Sequence, residues 1–178
     1  MFCYNQLMKI TMQPAISLDG FIAKLDGDSE TWVNQADEAR YQEVVQRAGA
    51  VITGRTTYEQ YKTDFDDYEG VTVFVCTTNS NLKDTKTVKY ISGSAQELIR
   101  SITANYGFSS LIVCGGGEIN GLLATAGLVD EIVISIQSKV IGEGIPLFGR
   151  FKPKLDLELI SVDETIPGVV QNHYLVRK

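Results

Sequence analysis

Leu111-Ile112-Val113-Cys114-Gly115-Gly116-Gly117 is the stretch on which the reading of this chain turns. A run of strong β formers stops at three glycines, after which Ile119, Leu122, Leu123 and Ala126 recur at helical spacing. A strand that passes into a helix through bare backbone lets main-chain N–H groups close on an anion. The helix dipole favours negative charge at the same point, so phosphate is the natural guest. Three glycines after a strand also make an ordinary tight connection. A second element of the phosphate type lies upstream, where Gly54-Arg55-Thr56-Thr57 follows a short β run at residues 50–53 and opens a helix. Two such turns can share one ligand.

Around these turns strands and helices alternate. Residues 9–17 read as a first strand, Phe21–Ala23 resumes extended structure, and residues 24–32 form a polar loop. Asn34 is placed to cap a helix in which Ala36, Ala39, Tyr41, Val44, Val45 and Ala48 repeat, and Gly49 ends it. A helix at 56–61 is followed by an acidic loop, strands at 71–77 and Val88–Ile91, and a helix capped by Ser94. The tail changes character: 129–140, 155–165 and Val169–Arg177 are longer β runs, the last two joined through Pro167-Gly168 as a hairpin. This order predicts an α/β fold, with a mostly parallel central sheet, helices on both faces and a C-terminal antiparallel hairpin. In such sheets ligands gather beyond the carboxyl ends of the strands, where both turns fall.

Composition limits the partners. At 178 residues, 44% hydrophobic and 21% charged, the chain is expected to form one domain, residues 1–178, with a full core. A net charge of -6 argues against a general nucleic-acid surface, so any phosphate site is local. Two of Cys3, Cys76 and Cys114 sit in apolar β runs, which fits buried thiols in a reducing cytosol better than a disulfide frame. With His173 the single histidine and no paired-cysteine spacing, a dedicated metal site is not expected. Neither a charged-then-apolar leader nor a membrane-length apolar run is present, so the expectation is a soluble cytoplasmic protein with no membrane partner.

Four segments occur in a telling order: Ile16-Ser17-Leu18-Asp19-Gly20-Phe21-Ile22-Ala23, Ile52-Thr53-Gly54-Arg55-Thr56-Thr57-Tyr58-Glu59, Val113-Cys114-Gly115-Gly116-Gly117, and Gly127-Leu128-Val129-Asp130-Glu131-Ile132 running on to Gly142-Glu143-Gly144-Ile145-Pro146-Leu147-Phe148. Together they resemble the dihydrofolate-reductase-like superfamily, in the branch of the reductase domain of the bifunctional riboflavin-biosynthesis deaminase-reductase. The resemblance spans nearly the whole chain. It implies the three-layer dihydrofolate-reductase-like fold and a nicotinamide cofactor, NADPH with NADH as the alternative. By the same resemblance Gly54, Arg55 and Thr56 hold the pyrophosphate and adenosine side. Gly115, Gly116 and Gly117, with Glu118 and Ile119, form the glycine turn, which in this fold commonly contains a cis Gly-Gly peptide. Ser17, Asp19 and Gly20 belong to the loop that closes over the nicotinamide, and residues 142–148 form a loop near that end. Where family members often place Ser-Arg for a 2′-phosphate, this chain reads Thr77-Thr78-Asn79-Ser80, which can hydrogen-bond phosphate but carries no cation. Arg55 and Lys83 are left to supply charge.

Hydride transfer asks little of side chains beyond orientation, whereas protonating a substrate nitrogen needs an acid or an ordered water. Asp37 is the first candidate. Its spacing, five residues after Trp32 and seventeen before Gly54, is similar to that of the carboxylate gripping the pterin ring in dihydrofolate reductases. Asp37 reads equally well as a charge favoured in a helix's first turn, by about 0.3 to 1 kcal/mol. Ser135 matches a family hydroxyl that hydrogen-bonds that carboxylate, or is a small residue tolerated in a buried strand. Trp32 and Tyr58 are candidates for the acceptor pocket, Trp32 also for an anchor of its loop. His173 reads as structural, and the Asp130-Glu131 pair as a branch signature.

The chain also departs from the family. Asn120 stands where dihydrofolate reductases carry a tyrosine near the nicotinamide, and Gln35-Ala36 replace the proline before the helix carboxylate. The stretch that takes the ribose phosphate in the riboflavin enzymes is not found after Tyr58. Asp64, Asp66, Asp67 and Glu69 would repel a phosphorylated substrate if they faced the pocket, and are read as a solvated loop. The leading expectation is a reductase of the riboflavin-pathway pyrimidine type, acting on a flat, nitrogen-rich or ribityl-type acceptor. Dihydrofolate reduction and a non-catalytic nucleotide-binding module are the alternatives. The resemblance also implies a homodimer.

Overall fold

Residues 50–52, 73–75 and 111–113 are apolar without alternation, as strands covered on both faces must be, and they are buried at the centre of the sheet. The computed structural model describes residues 8–178, so Cys3 lies outside the described residues. In chain order the elements are β1 (Lys9–Met12), β2 (Ala15–Ser17), β3 (Phe21–Ala23), α1 (Gln35–Ala48), β4 (Ala50–Gly54), α2 (Arg55–Gln60), α3 (Lys62–Asp66), β5 (Thr72–Cys76), β6 (Val88–Ile91), α4 (Ala95–Tyr106), β7 (Ser110–Gly115), α5 (Gly117–Thr125), β8 (Glu131–Gln137), β9 (Ile145–Pro146), β10 (Asp156–Asp163) and β11 (Val169–Arg177). The main sheet runs β10-β11-β8-β1-β7-β4-β5-β6, with β2 beside β8, while β3 and β9 form a separate antiparallel pair. Pairing is parallel from β8 across to β6 and antiparallel at β8-β11 and β11-β10. Two apolar layers flank the sheet. One includes Val45, Tyr58 and Phe65 from α1, α2 and α3, the other Ile102, Ile119 and Leu123 from α4 and α5. The expected dihydrofolate-reductase-like three-layer α/β architecture is the one found.

The caps follow the sequence closely. The Asn34 side chain accepts from the Ala36 N–H, Gly49 ends α1 at φ 71°, and Ser94 with Glu97 forms a complete capping box at α4. Asp130 and Glu131 hold the sheet together. Asp130 accepts from Ile10 N at 2.8 Å and pairs with Lys178 at 2.6 Å. Glu131 lies 2.8 Å from Lys9 Nζ and 3.1 Å from His173 Nε2.

Two expectations need correction. The first strand is broken at Gln13-Pro14, because Pro14 has no N–H for the ladder; its carbonyl accepts instead from Ser135 N at 3.0 Å. β1 pairs with β7 as far as Met12 and Val113, after which β2 follows β8 alone, so the sheet parts between them. The stretch read as an acidic loop contains the short helix α3. Phe65, flanked by Asp64 and Asp66, is buried against Tyr58 with ring centroids 5.8 Å apart, and this one apolar anchor outweighs the polar composition. No helix among the described residues is long and apolar enough to cross a membrane.

Candidate functional site

β4 and β7 are parallel neighbours in register Val51↔Ile112 and Ile52↔Val113, so the turns that follow them leave the sheet at the same edge. The register then slips to Thr53↔Gly115, which leaves Cys114 unpaired in the ladder as in a bulge. Thr53 Oγ1 donates to Gly115 O at 3.1 Å, and Gly116 N donates to Thr57 Oγ1 at 3.1 Å, tying the two turns together. The Gly115–Gly116 peptide is cis. Gly54 and Gly116 cap α2 and α5 without side-chain bonds, so the first helical N–H groups keep their hydrogen-bonding capacity for a ligand. A Cβ on Gly117 would stand 2.6 Å from Pro146 O and 2.7 Å from Gly149 N, so glycine there lets the 146–149 turn pack against α5. Glu118 is held by that turn, its carboxylate accepting from Arg150 N at 3.1 Å and pairing with Arg150 Nε at 3.0 Å.

These turns form one end of a cleft of about 1060 Å³ that continues to where β2 and β7 part. Of the residues expected to meet a dinucleotide, Gly54, Arg55, Thr56, Thr77, Thr78, Gly116, Gly117, Glu118 and Ile119 line the cleft. Ser17, Asp19, Gly20, Asn79 and Gly115 do not, and neither does Lys83. Ser17 is fully buried and accepts from Phe21 N at 3.0 Å. Asp19 accepts from Ile141 N at 3.2 Å and Gly142 N at 2.8 Å, which latches its loop to the 141–142 turn. The Ser17 hydroxyl, with these N–H groups, holds the Asp19 carboxyl below its ordinary value. Arg55 lies 2.8 Å from both Glu59 oxygens, and Thr77 Oγ1 accepts from Asn79 N at 3.1 Å.

At the other end Asp37, only 4% exposed, sits in the first turn of α1 against β8. Its Oδ1 accepts from Ser135 Oγ at 2.9 Å and Arg40 Nη2 at 2.7 Å, and its Oδ2 accepts from Gln137 Nε2 at 2.7 Å. Gln171 Nε2 donates to Ser135 Oγ at 3.0 Å, and Gln137 Oε1 accepts from Asn34 N at 3.0 Å. A carboxylate offers about four acceptor positions, so one remains. Asp37 and Ser135 line the cleft together. Arg40, Gln137 and Gln171 are missing from the sequence reading. The Asp-x-x-Arg spacing on one helix signalled Arg40, whereas Gln171 reaches Ser135 only through the β8-β11 register.

Trp32 and Tyr58 are placed away from the cleft lining. Trp32 is buried and donates to Asp28 O at 3.2 Å, as a loop anchor would. Tyr58 points into the core and donates to Asp66 Oδ1 at 3.1 Å, because the rotation of α2 turns its ring towards Phe65 and Tyr90. The aromatic lining comes instead from Tyr41, Tyr61, Phe65 and Tyr68. Tyr41 lies one helical turn beyond Asp37, a signal already present in the sequence. Its hydroxyl is buried with no hydrogen-bond partner among the described residues, and burial, then Cys114 and Tyr68, push its pKa well up. Burial raises the Cys114 thiol to about 11 and the Cys76 thiol to about 12. Asn120 is 1% exposed; its Nδ2 donates to Leu147 O at 3.0 Å while Oδ1 has no partner among the described residues. Asp64 stands on α3 at the border of the cleft with Asp26, Glu30 and Glu38, and it is exposed, so it is solvated as expected but not in a loop. Desolvation, then Asp64, Asp37 and Glu30, raise the Glu38 carboxyl.

Residues 8–171 match the family model of the RibD C-terminal domain. The uncharacterized protein YwjB of Bacillus subtilis is 30% identical over 172 residues, covering 94% of this chain and 97% of YwjB. A diaminohydroxyphosphoribosylaminopyrimidine deaminase/5-amino-6-(5-phosphoribosylamino)uracil reductase from Thermotoga maritima aligns with a TM-score of 0.79 at 16% identity, over 97% of this chain and 57% of its own. Dihydrofolate reductase from Enterococcus faecalis, complexed with NADP(H), aligns with a TM-score of 0.70 at 17% identity, over 96% of this chain and 97% of its own. At these identities the likeness to the solved structures is one of fold.

Proposed function

The chain belongs to the RibD C-terminal domain family, and on that premise we propose that it is a single-domain, NADPH-dependent reductase of the riboflavin-pathway type, with NADH as the competing donor. The observation that carries this reading is the Gly116–Thr57 hydrogen bond, which joins two phosphate-type turns at one cleft whose far end holds the Asp37–Ser135 pair. When bound, the nicotinamide supplies hydride from its C4. Backbone N–H groups at the starts of α2 and α5 hold the pyrophosphate, with Arg55, Thr77 and Thr78 on the adenosine side. The unpartnered Asn120 Oδ1 fits a ligand N–H donor. Asp37 uses its remaining acceptor position to grip an N–H of a flat heterocyclic or ribosylamino acceptor, and Ser135 orients it. Because Asp37 is engaged throughout as an acceptor, the proton needed at the acceptor nitrogen would come from water entering the cleft.

Calorimetry with NADPH and NADH, followed by stopped-flow loss of nicotinamide absorbance with ribosylaminopyrimidines and dihydropterins, tests the reading. Tight NADPH binding and oxidation by a ribosylaminopyrimidine are expected. No heat with either nucleotide overturns the proposal. Oxidation only by dihydrofolate makes the chain a dihydrofolate reductase, and binding without oxidation, unaltered by Asp37→Asn, makes it a non-catalytic nucleotide-binding module.

A homodimer is part of the same proposal. β10 is exposed almost along its whole length and carries Leu157, Leu159, Ile160 and Val162, with Val170 and Leu175 on β11, an apolar area that a second copy would cover. Sedimentation equilibrium at micromolar concentration is expected to return twice the subunit mass; a single-subunit mass overturns this part. The free thiols Cys76 and Cys114 support a reducing, cytoplasmic setting.

A further inference from the structure

Of the buried side-chain atoms without a hydrogen-bond partner among the described residues, those of Tyr41 and Asn120 belong to residues that line the cleft, whereas Arg40 Nε belongs to a residue outside the lining. Asn120 is the more deeply set of the two, Tyr41 being half-buried. Its amide cannot turn over. Leu147 O is a carbonyl that can only accept, so it fixes Nδ2 on its own side at 3.0 Å and leaves the acceptor Oδ1 turned elsewhere. That oxygen lies beside the glycine turn. A Cβ on Gly115 would stand 3.6 Å from Nδ2 and 3.7 Å from Oδ1, and glycine leaves this space free. A buried acceptor without a donor carries the full cost of its lost hydration, so the position calls for a donor that a ligand brings.

The sheet order indicates which donor. β7 stands between β1 and β4, with β5 and β6 beyond β4. Thr77 and Thr78, on the adenosine side of the proposed dinucleotide site, follow β5. Asn120 reaches the opposite way, because the Leu147 it bonds follows β9, which pairs with β3, the strand after β2 at the β8 side of the sheet. In a reduced nicotinamide dinucleotide the N–H donors are the adenine amine and the nicotinamide carboxamide. With adenine on the β5 side, the carboxamide is left for Asn120. We propose that Asn120 Oδ1 accepts from the nicotinamide carboxamide and so orients the ring in the cleft. This inference rests on the reductase reading and names the contact that positions its hydride donor. A ring tied at its pyrophosphate and at its carboxamide cannot rotate about the glycosidic bond, so one face is kept towards the Asp37 end.

The test titrates NADPH and its reduced 3-acetylpyridine analogue, in which a methyl group replaces the carboxamide NH₂, into the full chain by calorimetry. NADPH is expected to bind about tenfold more tightly, as the analogue leaves the buried Oδ1 without a donor. Asn120→Leu, close in volume but without the acceptor, is expected to weaken NADPH about tenfold and the analogue by less than about twofold, which removes the preference. Equal affinity of the unmodified chain for the two nucleotides overturns the inference, and this comparison decides the matter even if the variant does not fold. A loss in Asn120→Leu shared equally by both nucleotides also overturns it, because that marks a role confined to holding Leu147. Absence of heat with NADPH removes the reductase reading itself, whereas heat with NADPH and no discrimination removes only the role of Asn120.

Discussion

At one end of the cleft Gly54, Gly116 and Gly117 present backbone, held in place by a bond that Thr53 donates to Gly115 O and one that Thr57 Oγ1 accepts from Gly116 N. At the other, Asp37 of α1 and Ser135 of β8 present polar and charged side chains, with Arg40, Gln137 and Gln171 hydrogen-bonded behind them. The backbone end suits a constant ligand, because N–H groups at helix starts recognise any phosphate in the same way. The side-chain end suits a variable one, because one changed residue alters which donors and charges are met. Under the proposed function, the contrast would let one architecture serve different acceptors with a common dinucleotide.

If the side-chain end carries the acceptor, its central carboxylate is the costliest thing to change. Asp37→Asn is expected to lower kcat/KM by about 10² to 10⁴, as loss of a proton-handling or orienting group does, with little effect on NADPH affinity; stopped-flow and calorimetry read the two separately. Next comes the backbone end. Gly117→Ala drives a methyl against Pro146 O and Gly149 N, backbone atoms that cannot step aside, and is expected to cost about 1 to 3 kcal/mol in chemical denaturation and to weaken NADPH binding. Gly54→Ala sharpens this, since its Cβ would meet only Ile119 Cγ1 at 3.3 Å at an ordinary φ of -82°, and a loss below about 1 kcal/mol is expected.

Ser135→Ala removes one donor to Asp37 and the acceptor of Gln171, at about 1 kcal/mol of stability in the same denaturation assay; a weaker acceptor affinity with unchanged NADPH affinity would keep the two ends separable. The smallest effect concerns the loop bordering the acceptor end. Asp28, pulled down to about 2 by Lys24 and then Thr31, has a folded-state pKa below its unfolded one. The stabilisation it lends is therefore present above the ordinary value of 3.8 and fades as pH falls towards about 2. Trp32, the single tryptophan, donates to Asp28 O, so its fluorescence is expected to report an acid-dependent loosening that Asp28→Asn abolishes and that is absent between pH 5 and 8.

Legibility in the sequence followed the same divide. The glycine turns, the Asn34 and Ser94 caps and the closing hairpin depend on a few neighbouring residues, so their reading needed no tertiary information. Asp37 and Ser135 were named through a resemblance, and the bond between them joins residues 98 positions apart. Tyr58 was misplaced because adjacency to Thr57 says nothing of which way a short helix is rotated. Asp64 is exposed as its composition suggested, but its place on a helix at the cleft border depends on the burial of Phe65, which an acidic run conceals.

Local chemistry along the chain determined the alternating strands and helices, the parallel centre with its antiparallel edge, and two glycine-bearing strand-to-helix turns, since propensity, capping and bare backbone act over a few residues. Tertiary structure decided that the two turns meet through Gly116 and Thr57, that the sheet parts after Pro14 to open a cleft, and that Gln137, Arg40 and Gln171 collect around one buried aspartate. Those outcomes depend on strand order and register, which bring distant residues together and leave no short-range trace in the sequence.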